Sequence, residues 1–337
     1  MSAKTHIAWT STVHPDGAVT PGATWNCLTG CNRDGPDCEG CYAEFEAGTR
    51  MKNVASYAGT TRMTSDGPRW TGKVNLLHEK LDLPIRWQRP RMIFVNSMSD
   101  VFHKNVPFDF IDHMYAVMAV CPRHRFQILT KRGDRMVEYY ESDPAERIRD
   151  IADKLESSRA PALERWTEYG QDFVDLKAWP LPNVWAGISA GDQETANRRV
   201  PYLLLIPAAV HWVSYEPSIG RLDLTKLDAG SAGHKDLYWI NALTGRQDDM
   251  GRPCRDLPGK VDWVVAGGES GSKARPSEYD WYRSMRDDCS KAGVPFFMKQ
   301  VGAQLAQAGG MKHRAGADPE EWPDDLRVRQ FPEALAA

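Results

Sequence analysis

The stretch Met92-Ile-Phe-Val-Asn-Ser-Met-Ser-Asp100 decides the fold: four apolar residues without polar alternation, then an abrupt run of small polar ones. A strand with no polar face is covered on both sides, which is the situation in a parallel sheet. The polar run that follows marks the carboxyl end of such a strand, where β/α proteins build their sites. The same unit recurs along the chain. Phe126-Gln-Ile-Leu129 leads into Thr130-Lys131-Arg132, Val184-Trp-Ala-Gly-Ile188 into Ser189, and Val210-His-Trp-Val213 into Ser214-Tyr215-Glu216-Pro217. Val261-Asp-Trp-Val-Val-Ala266 leads into Gly267-Gly268-Glu269-Ser270, and Val294-Pro-Phe-Phe-Met298 into Lys299-Gln300. Between these runs, Ile111, Met114, Val117 and Met118 predict a helix over 108–121, and a second is predicted over 279–292 with Gly293 as its cap and Pro295 just beyond. With a first strand near 23–27, the pattern predicts the α/β class and a partial or closed β/α barrel of about six parallel strands.

The chain has 337 residues, 42% of them hydrophobic, enough for one large core. No run of eighteen apolar residues occurs, so no membrane span is expected. A net charge of −3 and a pI near 6.3 give no global attraction to nucleic acid. Two local basic groups remain, Arg123, His124, Arg125, Lys131, Arg132 and Arg135 in one and Arg86, Arg89 and Arg91 in the other. The barrel is assigned to 1–302, with charged helices over 143–181 outside it. The Gly- and Asp-rich segment 220–259 reads as an insertion of weak structure, and 303–337 as a peripheral tail.

Four of the seven cysteines fall in fifteen residues, Cys27-Leu-Thr-Gly-Cys31 and Cys38-Glu-Gly-Cys41. Gly30, Gly35, Pro36 and Gly40 make this segment a loop. The odd cysteine count and an N-terminus without a secretory pattern favour reduced thiols in the cytoplasm. Four thiolates would close a structural zinc site, whereas three would hold an iron–sulfur cluster with one iron open to an external ligand. Spacing alone leaves both open. On a barrel rim the loop and the polar strand ends would converge on one cavity.

The blocks Thr24-Trp25-Asn26, Thr29-Gly30-Cys31, Cys38, Cys41-Tyr42-Ala43-Glu44, Phe94 to His103, Leu129 to Arg132, Ser214 to Pro217, Gly267 to Ser270 and Pro295 to Gln300 occur in order. Together, over roughly 5–302, they resemble a phage- and bacterium-associated three-cysteine family. That family is similar to the radical S-adenosylmethionine enzymes, including the spore photoproduct lyase branch. The resemblance implies a 4Fe-4S cluster on Cys31, Cys38 and Cys41, with Cys27 as a spare. The ligand spacing, Cys-x6-Cys-x2-Cys, differs from the Cys-x3-Cys-x2-Cys of those enzymes. S-adenosylmethionine would be bound by Asn96, Ser97, Ser99, Asp100, Lys131, Ser189 and Glu216, and substrate by Glu269, Ser270, Lys299 and Gln300. The implied substrate is a nucleic-acid base or nucleotide of the thymine type. An electron-donor protein is the implied partner, and the cytoplasm of a bacterium or phage-infected host the implied location.

Other residues are read as structural. Cys121, Cys254 and Cys289 are isolated, His103 and His211 have no ligand-spaced partner, and Trp185, Trp212 and Trp263 lie inside strands. Trp9, Trp25 and Tyr42 are candidates for stacking on a base. A hydrolase is disfavoured, with no nucleophile elbow, His-Glu zinc motif or phosphate loop assigned. The alternative to a radical enzyme is a zinc-stabilised barrel without catalysis that binds nucleic acid or protein.

Overall fold

The computed structural model describes residues 5, 7–13, 19–163, 178–232, 239–249 and 252–332. Seven strands form one sheet in chain order: β1 Ala23–Trp25, β2 Met92–Val95, β3 Arg125–Thr130, β4 Val184–Ser189, β5 Val210–Tyr215, β6 Trp263–Gly267 and β7 Phe296–Gln300. The pairings β1/β2, β2/β3, β5/β6 and β6/β7 are all parallel. A parallel sheet that never reverses its winding is the topology of a partial β/α barrel, with seven strands where about six were expected. No described helix is long and apolar enough to cross a membrane.

The chain divides into two compact units. The first contains β1 to β3, helix α1 (Tyr42–Gly48), helix α2 (Phe108–Ala119) and helix α4 (Ala145–Leu163). Every residue of β2 is buried, as its unbroken apolar run requires. Helix α2 buries Ile111, Met114, Val117 and Met118, the four residues whose spacing predicts it. Of the charged region 143–181, the described part 145–163 is helical; 164–177 lie outside the described residues. Helix α3 (Gly133–Glu141) precedes it.

The second unit contains β5 to β7, α5 (Gln193–Leu203), α6 (Tyr279–Ala292) and α7 (Ala303–Ala308). Helix α5 starts on a capping box in which Asp192 accepts from Thr195 N at 2.9 Å. Helix α6 ends at Gly293, whose φ of 68° is the left-handed cap that its sequence predicts. Strands β5, β6 and β7 run one or two residues past their apolar runs, because their polar last residues still pair in the ladder.

The described part of 220–259 carries more regular structure than its composition suggests. Its described strands, Leu227–Asp228, Trp239–Asn241, Arg246–Asp249 and Arg252–Asp256, form an antiparallel sheet, and Leu227, Ile240, Ala242 and Leu243 are buried. Strands this short carry too few alternations to register as a pattern. The described part after 302, up to residue 332, also packs. Gln330 N donates to Phe296 O at 2.9 Å, Met298 N donates to Val328 O at 2.8 Å, and Trp322 and Leu326 are buried.

Candidate functional site

In the first unit, Asn96 terminates β2 with a φ of 58°, a left-handed conformation that asparagine tolerates better than most residues. Its backbone N–H donates to Trp25 O at 2.9 Å, and its Oδ1 accepts from Cys27 N at 3.2 Å. The Nδ2 group is buried and has no partner among the described residues. A buried amide donor without an acceptor costs about 1–3 kcal/mol, so this atom is a candidate to meet a ligand's acceptor. The neighbouring candidates brace the strand end. Ser97 Oγ donates to Asn26 Oδ1 at 3.2 Å and Ser99 Oγ to Leu28 O at 3.1 Å. Asp100 Oδ1 accepts from Thr130 Oγ1 at 2.6 Å and from Phe102 N at 3.0 Å.

In the second unit, Asp37 is fully buried and held by two cations. Lys131 Nζ lies 2.6 Å from Oδ2, and Arg199 contributes Nη1 at 2.7 Å and Nη2 at 3.0 Å. Burial would raise the Asp37 carboxyl, but the Lys131 and Arg199 charges outweigh it and hold the group far below the usual carboxylate range. Lys131 also donates to Ser189 Oγ at 2.7 Å, and Ser189 Oγ donates to Glu216 O at 2.9 Å. Arg198 and Arg199 both bind Asp34 Oδ2, at 2.9 and 2.7 Å. A carboxylate ligand at Lys131 would therefore share that ammonium with Asp37.

The remaining strand-end candidates are similarly paired. Glu216 receives Lys299 Nζ at 2.8 Å on one oxygen and Ser214 Oγ at 3.3 Å on the other. Glu269 accepts from Arg275 through the backbone N (2.9 Å), Nε (2.9 Å) and Nη2 (2.8 Å), while Arg275 Nη1 donates to Pro36 O at 2.7 Å. Gln300 Nε2 donates to Gly268 O at 2.7 Å, and Ser270 is exposed. The Gly267-Gly268 pair serves close approach: a Cβ on Gly267 would lie 2.6 Å from Glu216 Oε1, and one on Gly268 would lie 2.4 Å from Val301 O.

Cys27 is fully buried beside Asn96, and burial pushes its thiol up to about 12. Cys31 and Cys41 are half-buried, and Cys38 accepts from Asp34 N at 3.5 Å. None of the four is joined in a disulfide. Among the described residues, no three His, Cys, Asp or Glu side chains are gathered closely enough to hold a metal ion. By donor chemistry Cys31, Cys38 and Cys41 fit an iron–sulfur cluster. The carboxylates between them, Asp34 and Asp37, are already committed to Arg198, Arg199 and Lys131, which leaves soft sulfur as the characteristic donor of the segment.

Asp34, Asp37, Arg198, Arg199 and Arg275 escaped the sequence reading. Arg199 carried a signal: it shares a helical face with Ala196, Val200 and Leu203, all buried, and a charge on an apolar face implies a buried partner. Also missed was the pattern Gly187-Ile-Ser189-Ala-Gly191, which has the form of a nucleophile elbow. The structure keeps Ser189 inside β4. Its hydroxyl donates to a carbonyl and accepts from a lysine engaged with Asp37, so no base is placed to activate it.

The first basic group is largely consumed within the fold. Arg123 donates to the carbonyls of Ile85 and Trp87 at 3.1 Å each. His124 is buried and, through desolvation and the Arg123 charge, held down to about 3, hence neutral. Of the second group, Arg86 and Arg89 are exposed, while Arg91 lies over Trp87. Trp9 and Trp25 are buried and cannot stack on a base, which leaves Tyr42, at 53% exposure. Cys121, Cys289, Trp185, Trp212 and Trp263 are core residues, and His103 and His211 are buried; the side chain of Cys254 lies outside the described residues.

Neither the curated proteins nor the solved structures give a match to this chain. The family model described as protein of unknown function DUF5131 matches residues 4–325, and the chain therefore belongs to the DUF5131 family.

Proposed function

We propose that this protein is a radical S-adenosylmethionine enzyme that holds a 4Fe-4S cluster on Cys31, Cys38 and Cys41 and acts on a nucleic-acid base or nucleotide. The observation that carries the reading is the thiol-bearing segment between β1 and β2. Its 34–40 stretch is fastened by Asp37 to Lys131 and Arg199, and by Pro36 O to Arg275. Rigid anchorage of a ligand loop favours a fixed metal geometry. Cys27 differs from the other three in being fully buried, with its Sγ and backbone N both turned to Asn96 Oδ1, which supports a set of three thiolates over four.

When bound, the cluster and S-adenosylmethionine supply one-electron chemistry that removes a hydrogen atom from substrate. The protein's own residues bind and orient. Asn96 Nδ2 offers a donor to the cofactor, and Lys131 and Ser189 form a hydrogen-bonded string that ends on the backbone carbonyl of Glu216, at the ends of β3 to β5. Glu269, Lys299 and Gln300 are assigned to substrate. An electron-donor protein would supply the reductant.

Anaerobic reconstitution with iron and sulfide, followed by electron paramagnetic resonance with and without S-adenosylmethionine, tests the proposal. A cluster signal that changes when the cofactor is added is the expected result. A cluster indifferent to S-adenosylmethionine would overturn the assignment.

A further inference from the structure

Paired strands normally advance one residue for one residue, and between β6 and β7 they do not. Ala266 pairs with Met298 and Gly267 with Gln300, so Lys299 is the extra residue of a bulge. A bulge leaves its extra residue out of the ladder and re-aims a side chain. The side chain re-aimed here belongs to the candidate site: Lys299 Nζ lies 2.8 Å from Glu216 Oε1, just past the end of β5.

The carbonyls at the bulge find their donors outside the parallel sheet, in the C-terminal segment. Arg329 Nε donates to Met298 O at 3.1 Å and Arg329 Nη2 to Lys299 O at 3.2 Å, with a longer bond from Nη2 to Ala317 O at 3.4 Å. Consecutive carbonyls of a regular strand point to opposite edges, so a single guanidinium fork suits two of them where the strand is bulged. Arg329 stands opposite Phe297 in an antiparallel bridge, and its guanidinium lies 5.4 Å from the Phe297 ring and 5.2 Å from that of Trp322. The segment does not need this side chain for its seat on β7. The backbone of Val328 and Gln330 already bonds to Met298 and Phe296, and Gln330 Oε1 accepts from Phe296 N at 3.1 Å.

We infer that Arg329 is a positioning residue of the candidate site: its guanidinium fixes the bulge at Lys299 and thereby aims the Lys299 ammonium at Glu216. The inference rests on the proposed function in giving that pair a substrate to meet, yet the pairing itself is read without cluster or cofactor. The test is trace acetylation of the full chain, purified in air, with acetic anhydride near pH 8. Mass spectrometry reads Lys299 against the exposed Lys104. A carboxylate partner favours the protonated amine, which is the unreactive form. Arg329→Ala raises the Lys299 rate roughly 3- to 10-fold, toward that of Glu216→Gln, which cuts the pair directly. The double variant rises no further, as two changes acting on one pair require. Gln330→Ala loosens the segment away from the bulge and leaves the Lys299 rate at the wild-type level. Circular dichroism confirms that each variant is folded. An unchanged Lys299 rate in folded Arg329→Ala, or an equal rise in Gln330→Ala, overturns the inference and makes Arg329 an anchor of the segment. A cluster that ignores S-adenosylmethionine while Arg329→Ala still frees Lys299 would remove the radical reading and leave the positioning role.

Discussion

Gly40 and Glu269 are in such close apposition that a Cβ on the glycine would lie 2.0 Å from Glu269 Oε1. The carboxylate cannot simply swing away, because Arg275 holds it with three hydrogen bonds and at the same time grips Pro36 O. The single residue type without a side chain thus stands between Glu39 and Cys41 for reasons of space. Gly40→Ala should cost about 1–3 kcal/mol, the usual penalty for forcing atoms into a packed site. It should also lower the iron bound after reconstitution. Adding Glu269→Ala should recover part of the loss, a coupling that a double-mutant cycle on thermal melts would read. Strictly additive losses would contradict the contact.

The Asp37 carboxylate ties segment 34–40 to α5. Asp37→Asn leaves Arg199 and Lys131 facing a neutral group, and breaking a buried pair from one side costs about 3–5 kcal/mol. The pH dependence follows from the direction of the shift. The folded group holds its proton far less readily than the unfolded one, so its contribution is complete above the ordinary aspartate value of about 4 and is lost as pH falls toward the depressed folded value. Urea melts between pH 7 and pH 3 should show the wild type losing more stability than Asp37→Asn over that interval. Parallel curves for the two proteins would show that Asp37 is not the titrating group.

Cys27 provides a test that does not need the cluster. Its thiol is buried and stays protonated until pH approaches about 12, whereas Cys31 and Cys41 reach the surface. Maleimide labelling of the metal-free protein near pH 7.5, followed by mass spectrometry, should mark Cys31 and Cys41 well before Cys27, Cys121 and Cys289, since the thiolate is the reactive form. Cys27→Ala should lose about 1–2 kcal/mol from the small cavity but retain the cluster. Loss of bound iron in that variant would instead point to four thiolates.

The parallel sheet was legible because a strand buried on both faces leaves an unbroken apolar run, and Met92–Val95 is such a run. The polar strand ends were legible for the same reason, as abrupt breaks in that pattern. The partners of those ends were not. Asp37 and Arg199 are 162 positions apart, and no local spacing encodes their pairing. The short strands Trp239–Asn241 and Arg246–Asp249 escaped because a glycine-rich segment can be structured by a turn such as the one at Gly245, with its φ of 70°. In the loop, the thiols were conspicuous by residue type, whereas the carboxylates that anchor it looked like ordinary solvated charges.

Asn96 joins the fold and the proposed chemistry, and its backbone allows the two to be separated. Both Asn96→Ala and Asn96→Gly remove the acceptor for Cys27 N and the buried Nδ2 donor. They differ in the left-handed φ of 58°, which glycine adopts without penalty and alanine at a cost of about 1–2 kcal/mol. Asn96→Gly should therefore melt above Asn96→Ala, even though glycine is ordinarily the worse choice near a strand. Equal melting temperatures would mean that the turn after β2 relaxes once the amide is gone. Since both variants lack Nδ2, both should bind S-adenosylmethionine about tenfold more weakly in the reconstituted protein, the loss that corresponds to one buried hydrogen bond of about 1.4 kcal/mol. Wild-type affinity in Asn96→Gly would remove Asn96 from the cofactor's contacts while leaving its part in the strand end untouched.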